Sequence, residues 1–228
     1  MTRYRYNFFI LSVLLLFPTA LLSTPKPPPP FQADFPIVVH MASATPEKAN
    51  QKIDAMVNDA NAQFAEIGIH FTVIARHSLP ATFETLETIR ERHQVKKYLQ
   101  PKAINLFLHD EILDPVPSKA TRKAAALQNR KPSGRLAGAH IESPQRNPGT
   151  YILISGAARN NTLPHELGHF FGLPHHRNPE NIMSYGAQRR EFSDVQSKTI
   201  VRTAKRLIRQ KKIRTVSVPK SIPCKKNS

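Results

Sequence analysis

An α/β architecture is what this chain predicts, on three observations. Runs of strand length and rich in Ile, Val, Leu and Phe stand at Phe35–Met41 (FPIVVHM), Ile69–Ala75 (IHFTVIA), Ile104–His109 (INLFLH) and Thr150–Ser155 (TYILIS). Between the first two, Ala49, Ile53, Val57, Ala60, Phe64 and Ile67 recur at helical spacing. Strand followed by helix followed by strand is the pattern of a sheet with helices packed on it. The chain has 228 residues, enough for one domain with a sizeable core.

The elements follow in order. Phe35–Met41 reads as a buried strand. Thr45-Pro46 then supplies an N-cap and a proline at the first helical position, and Gly68 ends the helix. Ile69–Ala75 is the second strand. Thr82 to Gln100 is expected to form a second, more polar helix, stopped by Pro101. Ile104–His109 is the third strand. Residues 110–135 carry Pro115, Pro117, Pro132 and Gly134 among basic residues and read as a long surface loop, with a helical turn at Ala124–Gln128. Gly134–His140 is a fourth strand and Thr150–Ser155 a fifth. Gly156–Asn161 leads into a helix whose first turn accommodates Pro164. Ser193-Asp194-Val195-Gln196 has the capping-box pattern and should start a helix from Asp194 to about Lys211. Val195, Thr199, Ile200, Leu207 and Ile208 are expected on its inner face.

The ends differ from this middle. Arg3 and Arg5 precede an apolar run, Phe8–Phe17, broken by Pro18 and followed by Thr19, Ala20 and Ser23. Residues 1–23 read as an export signal, with an uncleaved N-terminal anchor as the alternative, so a secreted or periplasmic location is expected. Residues 24–34 form a proline-rich linker containing Pro27–Pro30. The folded domain is expected over 35–212, which leaves no room for a folded propeptide, and 213–228 is a basic tail. The only cysteine, Cys224, cannot form an intramolecular disulfide and reads as an inert thiol or an intermolecular bridge. The formal charge of +17 suits an anionic surface, which the basic last helix and tail would meet, or serves solubility alone.

The chemistry concentrates at His165-Glu166-Leu167-Gly168-His169-Phe170-Phe171-Gly172-Leu173-Pro174-His175. This is H-E-x-x-H-x-x-G-x-x-H, with Asn181-Ile182-Met183-Ser184-Tyr185 following. Residues four apart on a helix share a face, so His165 and His169 can address one metal ion. Gly172 tolerates positive φ and lets the chain turn, and Pro174 keeps the helix from continuing. The turn brings His175 back as a third ligand. Three imidazoles leave one tetrahedral position open, the catalytic rather than the structural arrangement of Zn2+. A single zinc ion there supplies an acidified water and a polarised carbonyl. Glu166, one step round from His165, is placed as general base and then as proton donor to a leaving amine.

These residues resemble the metzincin clan of zinc metallopeptidases, with features shared with astacin-like, serralysin-like and pappalysin-like members. The resemblance implies a zincin-like fold: a five-stranded mixed sheet with backing helices, an active-site helix, and a small C-terminal subdomain ending in a helix. It implies that Met183 is the methionine beneath the metal and that Tyr185 is a second catalytic residue, binding zinc or stabilising the oxyanion. It implies that Leu136, Ala137, Gly138 and Ala139 lie on an edge strand along which substrate adds. Arg189 and Arg190 would then wall the pocket after the scissile bond and favour an acidic side chain. His176 reads as a surface residue.

The expectation is therefore an exported zinc-dependent metalloendopeptidase, monomeric, acting on protein or peptide. Two other classes stand beside it: a non-catalytic zinc-binding pseudo-protease, and a basic protein that binds nucleic acid or another anionic polymer. Glu166 argues against the first, because structural zinc does not need it. The lack of Trp and of any nucleic-acid fold signature argues against specific nucleic-acid binding.

Overall fold

The computed structural model describes residues 31–114, 134–141, 150–186 and 188–216. The expected helical turn at 124–128 and residues 1–30 and 217–228, with Cys224, lie outside them. Among the described residues no helix is long and apolar enough to cross a membrane.

A five-stranded mixed sheet organises the domain. It contains β1 (Ala33–Ala42), β2 (Ile69–Ser78), β4 (Ile104–His109), β7 (Gly138–Ile141) and β8 (Tyr151–Ser155), in the order β2-β1-β4-β8-β7. The first four in that order are parallel, and β7 runs antiparallel to β8 at the edge. A small second sheet joins β3 (Thr85–Leu86), β5 (Glu111–Asp114) and β6 (Gly134–Arg135).

Alternation along β1 explains why its sequence shows no polar face. Phe35, Ile37, Val39 and Met41 enter the larger core with α1 (Pro46–Phe64), while Ala42 joins a second core with Phe107, Tyr151 and Leu153. The sheet is covered on both faces, so its central strands are apolar on both. The six residues read as the apolar stripe of α1 are all buried, and Met56 is buried with them on the helix. Gly68 follows a 3-10 turn and takes φ +78°, the left-handed conformation that ends the helix.

Two expectations are corrected here. Thr82–Gln100 is not one helix: a 3-10 turn at Ala81–Phe83, β3, α2 (Ile89–Gln94) and a second 3-10 turn replace it. Phe83 and Leu86 are buried in the second core, and Leu86 pairs as a strand residue with Ile112 of β5, which holds this stretch extended. The Thr88–Glu91 capping box then starts α2 afresh. The loop expected at 110–135 opens with a strand, β5, whose Ile112 is fully buried.

The remaining helices are α3 (Thr162–Phe170) and α4 (Asp194–Arg209). The Ser193–Gln196 capping box is present. α4 buries Gln196, Ile200, Thr203 and Ala204, whereas Val195 is 73% exposed. At 100° per residue Val195 lies about 140° from Ile200, on the opposite face. The segment after α4 is not wholly a free tail: Ile213 is buried and pairs with Lys102, and the Val216 N–H donates to Asp34 O at 2.8 Å.

His109, at the end of β4, is fully buried. Its Nδ1 lies 2.6 Å from Phe83 O, and its Nε2 has no partner among the described residues. Burial pushes its pKa down to about 4, against the Phe83 hydrogen bond and the Asp110 charge. The unfolded chain therefore binds a proton that the folded one refuses between about 6.5 and 4. Stability is complete above the ordinary histidine range and falls as pH drops through that window. The shift corresponds to about 3 kcal/mol. Denaturant titrations from pH 7 to 4 should show His109→Gln losing about that much less stability on acidification than wild type. Equal losses would mean that His109 is not held neutral.

Candidate metal centre

α3 lies against the sheet with Thr162 through Gly168 buried. One helical turn separates His165 from His169, and their Nε2 atoms are 3.2 Å apart. The helix ends in a Schellman motif, in which Gly172 N–H donates to His169 O (2.8 Å) and Leu173 N–H to Gly168 O (3.0 Å). Gly172 takes φ +88°, and an added Cβ would meet nothing within 4 Å, so conformation rather than space requires glycine. The reversal returns His175, whose Nε2 is 3.1 Å from that of His169. These three histidines are the group able to hold a metal among the described residues, with ligand atoms all within 4.8 Å of one another.

The outer nitrogens test whether a cation fits. His165 Nδ1 lies 2.7 Å from Ile182 O, and His169 Nδ1 lies 2.7 Å from Leu173 O. A carbonyl only accepts, so each Nδ1 carries the hydrogen and each Nε2 presents a lone pair to the centre. Two lone pairs at 3.2 Å repel unless a cation or a proton stands between them. Burial acts against the proton. It lowers the pKa of His165 to about 4 and lowers those of His169 and His175. Tetrahedral zinc with nitrogen at 2.0–2.1 Å would set ligands about 3.3 Å apart, close to the observed spacings. The donor set fits the ion.

Gly172→Ala should tilt this reversal. A left-handed residue with a Cβ costs roughly 1–2 kcal/mol, and His175 hangs from the strained turn. Zinc affinity is expected to fall about tenfold, read by competition with a chromophoric chelator, with α3 intact by circular dichroism. Unchanged affinity would mean that Gly172 does not set the position of His175.

Glu166 is buried beneath β7. Burial pushes its pKa up to about 7, against the Arg189 charge and a hydrogen bond from the His140 backbone N–H. Such a carboxylate is poised to accept and release a proton near neutrality. Met183 is fully buried against α3: a Cβ on Gly168 would lie 2.2 Å from its sulfur. The same segment supplies Ile182 O to His165. It is tied to α4 by a reciprocal amide pair, with Asn181 Nδ2 donating to Gln196 Oε1 (2.8 Å) and Gln196 Nε2 to Asn181 Oδ1 (3.1 Å).

Tyr185 is 82% exposed, and its hydroxyl lies 3.0 Å from His175 Nδ1. In this arrangement it orients the outer histidine. His176 is exposed, as expected. A cleft of about 380 Å³ runs beside His175, Pro179, Tyr185 and Gly186.

The edge-strand residues divide. Leu136 packs against the second core and Ala137 is exposed. Gly138 and Ala139 belong to β7. A Cβ on Gly138 would lie 2.8 Å from Thr162 Cγ2 and 3.0 Å from Glu166 Oε1, so glycine admits α3 and its carboxylate to the strand. Arg189 is half-buried and donates to Asn161 Oδ1 (3.1 Å) and Ser184 O (3.3 Å), and its charge acts on Glu166. Arg190 is exposed.

Four contributions are not evident from the sequence: the His140 N–H, the Arg189 charge on Glu166, the Asn181–Gln196 pair, and the Gly168–Met183 contact. Only the last left a signal, since a glycine inside a helix costs about 1 kcal/mol and implies a close neighbour.

No protein-family model matches this sequence, and no curated protein does. Among solved structures the chain is similar to archaemetzincin from Methanopyrus kandleri, with a TM-score of 0.50 at 15% identity over 75% of this chain and 96% of that one. It is also similar to metalloproteinase-II from Bacteroides fragilis, with a TM-score of 0.49 at 13% identity over 78% of this chain and 55% of that one. A zinc-dependent peptidase from Methanocorpusculum labreanum gives 0.42 at 14% identity over 72% of this chain and 99% of that one. At such identities the likeness is one of fold, and the first comparison carries it.

Proposed function

We propose that this protein is a zinc-dependent metalloendopeptidase of the metzincin type. The observation that carries the reading is the convergence of three Nε2 lone pairs, two of them fixed by carbonyl bonds, beside a buried carboxylate. Three imidazoles are a donor set suited to zinc. His165, His169 and His175 would hold the ion, which supplies Lewis acidity to a water and to a carbonyl oxygen.

The chain's own residues do the rest. Glu166 takes a proton on its carboxylate and returns it to the departing amine nitrogen. The His140 N–H and the Arg189 guanidinium keep that carboxylate from becoming permanently protonated. Met183 and the Ile182 carbonyl fix the helix face that bears His165. Tyr185 holds His175 and, standing on the solvent side of the site, is the second catalytic partner in this reading. The outer edge of β7 is where an extended peptide would add as a strand, with Ala139 beside it. The fold likeness to archaemetzincin accords with this reading, in which peptide is the substrate class. With residues 1–23 as an export signal, the protein would act outside the cytoplasm.

Elemental analysis together with digestion of an unfolded protein tests the reading. One zinc per chain and chelator-sensitive cleavage are expected. A chain that holds one zinc and cleaves no unfolded protein or peptide would be a zinc-binding pseudo-protease instead.

A further inference from the structure

A groove of about 1020 Å³ lies along α4, between that helix, the 3-10 turn at Ala65–Ile67 and Phe31. Lys198, Arg202, Lys205, Arg206 and Arg209 line it, and Glu66 is the one acidic side chain among its described lining residues. All five cations are exposed. At 100° per residue they occupy an arc of about 100° opposite the Ile200–Ala204 face that enters the core. A helix dipole does not account for this, since it favours cations only in the last turn, whereas this stripe begins at Lys198 in the first half of α4.

Apolar groups accompany the charge. Val195 is exposed on the same side of α4, and Phe31 and Val201 line the groove. Lys205 Nζ sits 5.4 Å from the Phe31 ring centroid. This contact fixes where the preceding chain leaves the domain. The apolar run ending at Leu22 is joined to Phe31 by eight residues, at most about 30 Å of chain. With that run retained as the uncleaved N-terminal anchor, the alternative reading of residues 1–23, the basic stripe is held close to the headgroups of the lipid it enters. A polyanion in solution would have no need of that arrangement.

We propose that the α4 stripe docks the domain on an anionic lipid surface, with Lys198, Arg202, Lys205, Arg206 and Arg209 meeting headgroup phosphates and Phe31 and Val195 entering the interface. The attraction expected per cation near such a surface makes three of them worth about tenfold to a hundredfold in partitioning.

The test compares full-length chain on phosphatidylcholine vesicles and on vesicles containing about one-third phosphatidylglycerol, by co-sedimentation at about 0.1 M salt. Insertion of the N-terminal run contributes to both, so the ratio is the readout. Wild type should favour the anionic vesicles at least tenfold, and the preference should fade at about 0.5 M salt. Arg202→Gln/Lys205→Gln/Arg209→Gln should lower the ratio at least tenfold while leaving binding to phosphatidylcholine unchanged. Lys48→Gln/Arg90→Gln/Lys97→Gln, an equal loss of charge at exposed sites elsewhere, should alter it less than about twofold. A wild-type ratio near one, a preference that survives high salt, or an equal effect of the two triple variants would overturn the proposal. So would duplex DNA that displaces the protein from anionic vesicles and binds it more tightly at the same salt, which would make the stripe a polyanion site.

Discussion

Glu166→Gln should leave zinc bound with wild-type affinity while kcat falls by about 10²–10⁴. The substitution changes neither length nor volume, and the carboxylate is not among the three converging ligands. A glutamine oxygen can still accept the His140 N–H, so the register of β7 on α3 should hold. What is lost is a group able to take a proton near neutrality. The pH profile separates that role from a structural one. A general base must be deprotonated, so kcat/KM should fall as pH falls through its pKa, which burial raises to about 7 against the Arg189 charge and the His140 hydrogen bond. A bound cation moves the acid limb below that value. Arg189→Ala removes the opposing charge and should move the limb back up, at the cost of the ties to Asn161 and Ser184. A Glu166→Gln enzyme that keeps more than about a tenth of wild-type kcat would remove Glu166 from the chemistry.

Much of this was legible because it rests on short-range rules. The helical stripe of α1, the left-handed ends at Gly68 and Gly172, and the Ser193 capping box depend on residues within a few positions of one another. So does the sharing of a face by His165 and His169. Other features rest on long-range contacts. Polar Thr82–Gln100 reads as helix until Phe83 and Leu86 are required by a second core beneath the sheet. Val195 reads as an inward residue until Ile200 and Ala204 fix which side of α4 faces the core. Gly138 reads as small for the sake of a substrate, and in the structure Thr162 and Glu166 of α3 also occupy the space beside it. The Gln196 side chain reads as a cap and also serves Asn181, 15 residues away, because one amide oxygen can accept from both Ser193 N–H and Asn181 Nδ2.

Removing zinc should abolish cleavage and lower Tm by about 10 °C, both restored by zinc. An ion present at a thousand times its dissociation constant stabilises by about 4 kcal/mol, and a domain of this size moves about 2–4 °C per kcal/mol. The three histidines are equivalent in the motif but not in the structure. His175 is exposed, so His175→Ala should lose zinc yet match the Tm of chelated wild type. His165 is buried and its ring N–H holds Ile182 O, which belongs to the segment seated under α3. His165→Ala should therefore lose zinc and fall below chelated wild type by a further 1–3 kcal/mol or so, the cost of a buried carbonyl left without its donor. His169, half-buried with its ring N–H on Leu173 O at the helix end, should fall between the two. The ordering in chelator is the decisive measurement, because loss of zinc alone predicts three identical melting curves. Identical curves would mean that the carbonyl bonds orient the imidazoles without supporting the fold, and that the burial of His165 serves only to keep its proton off.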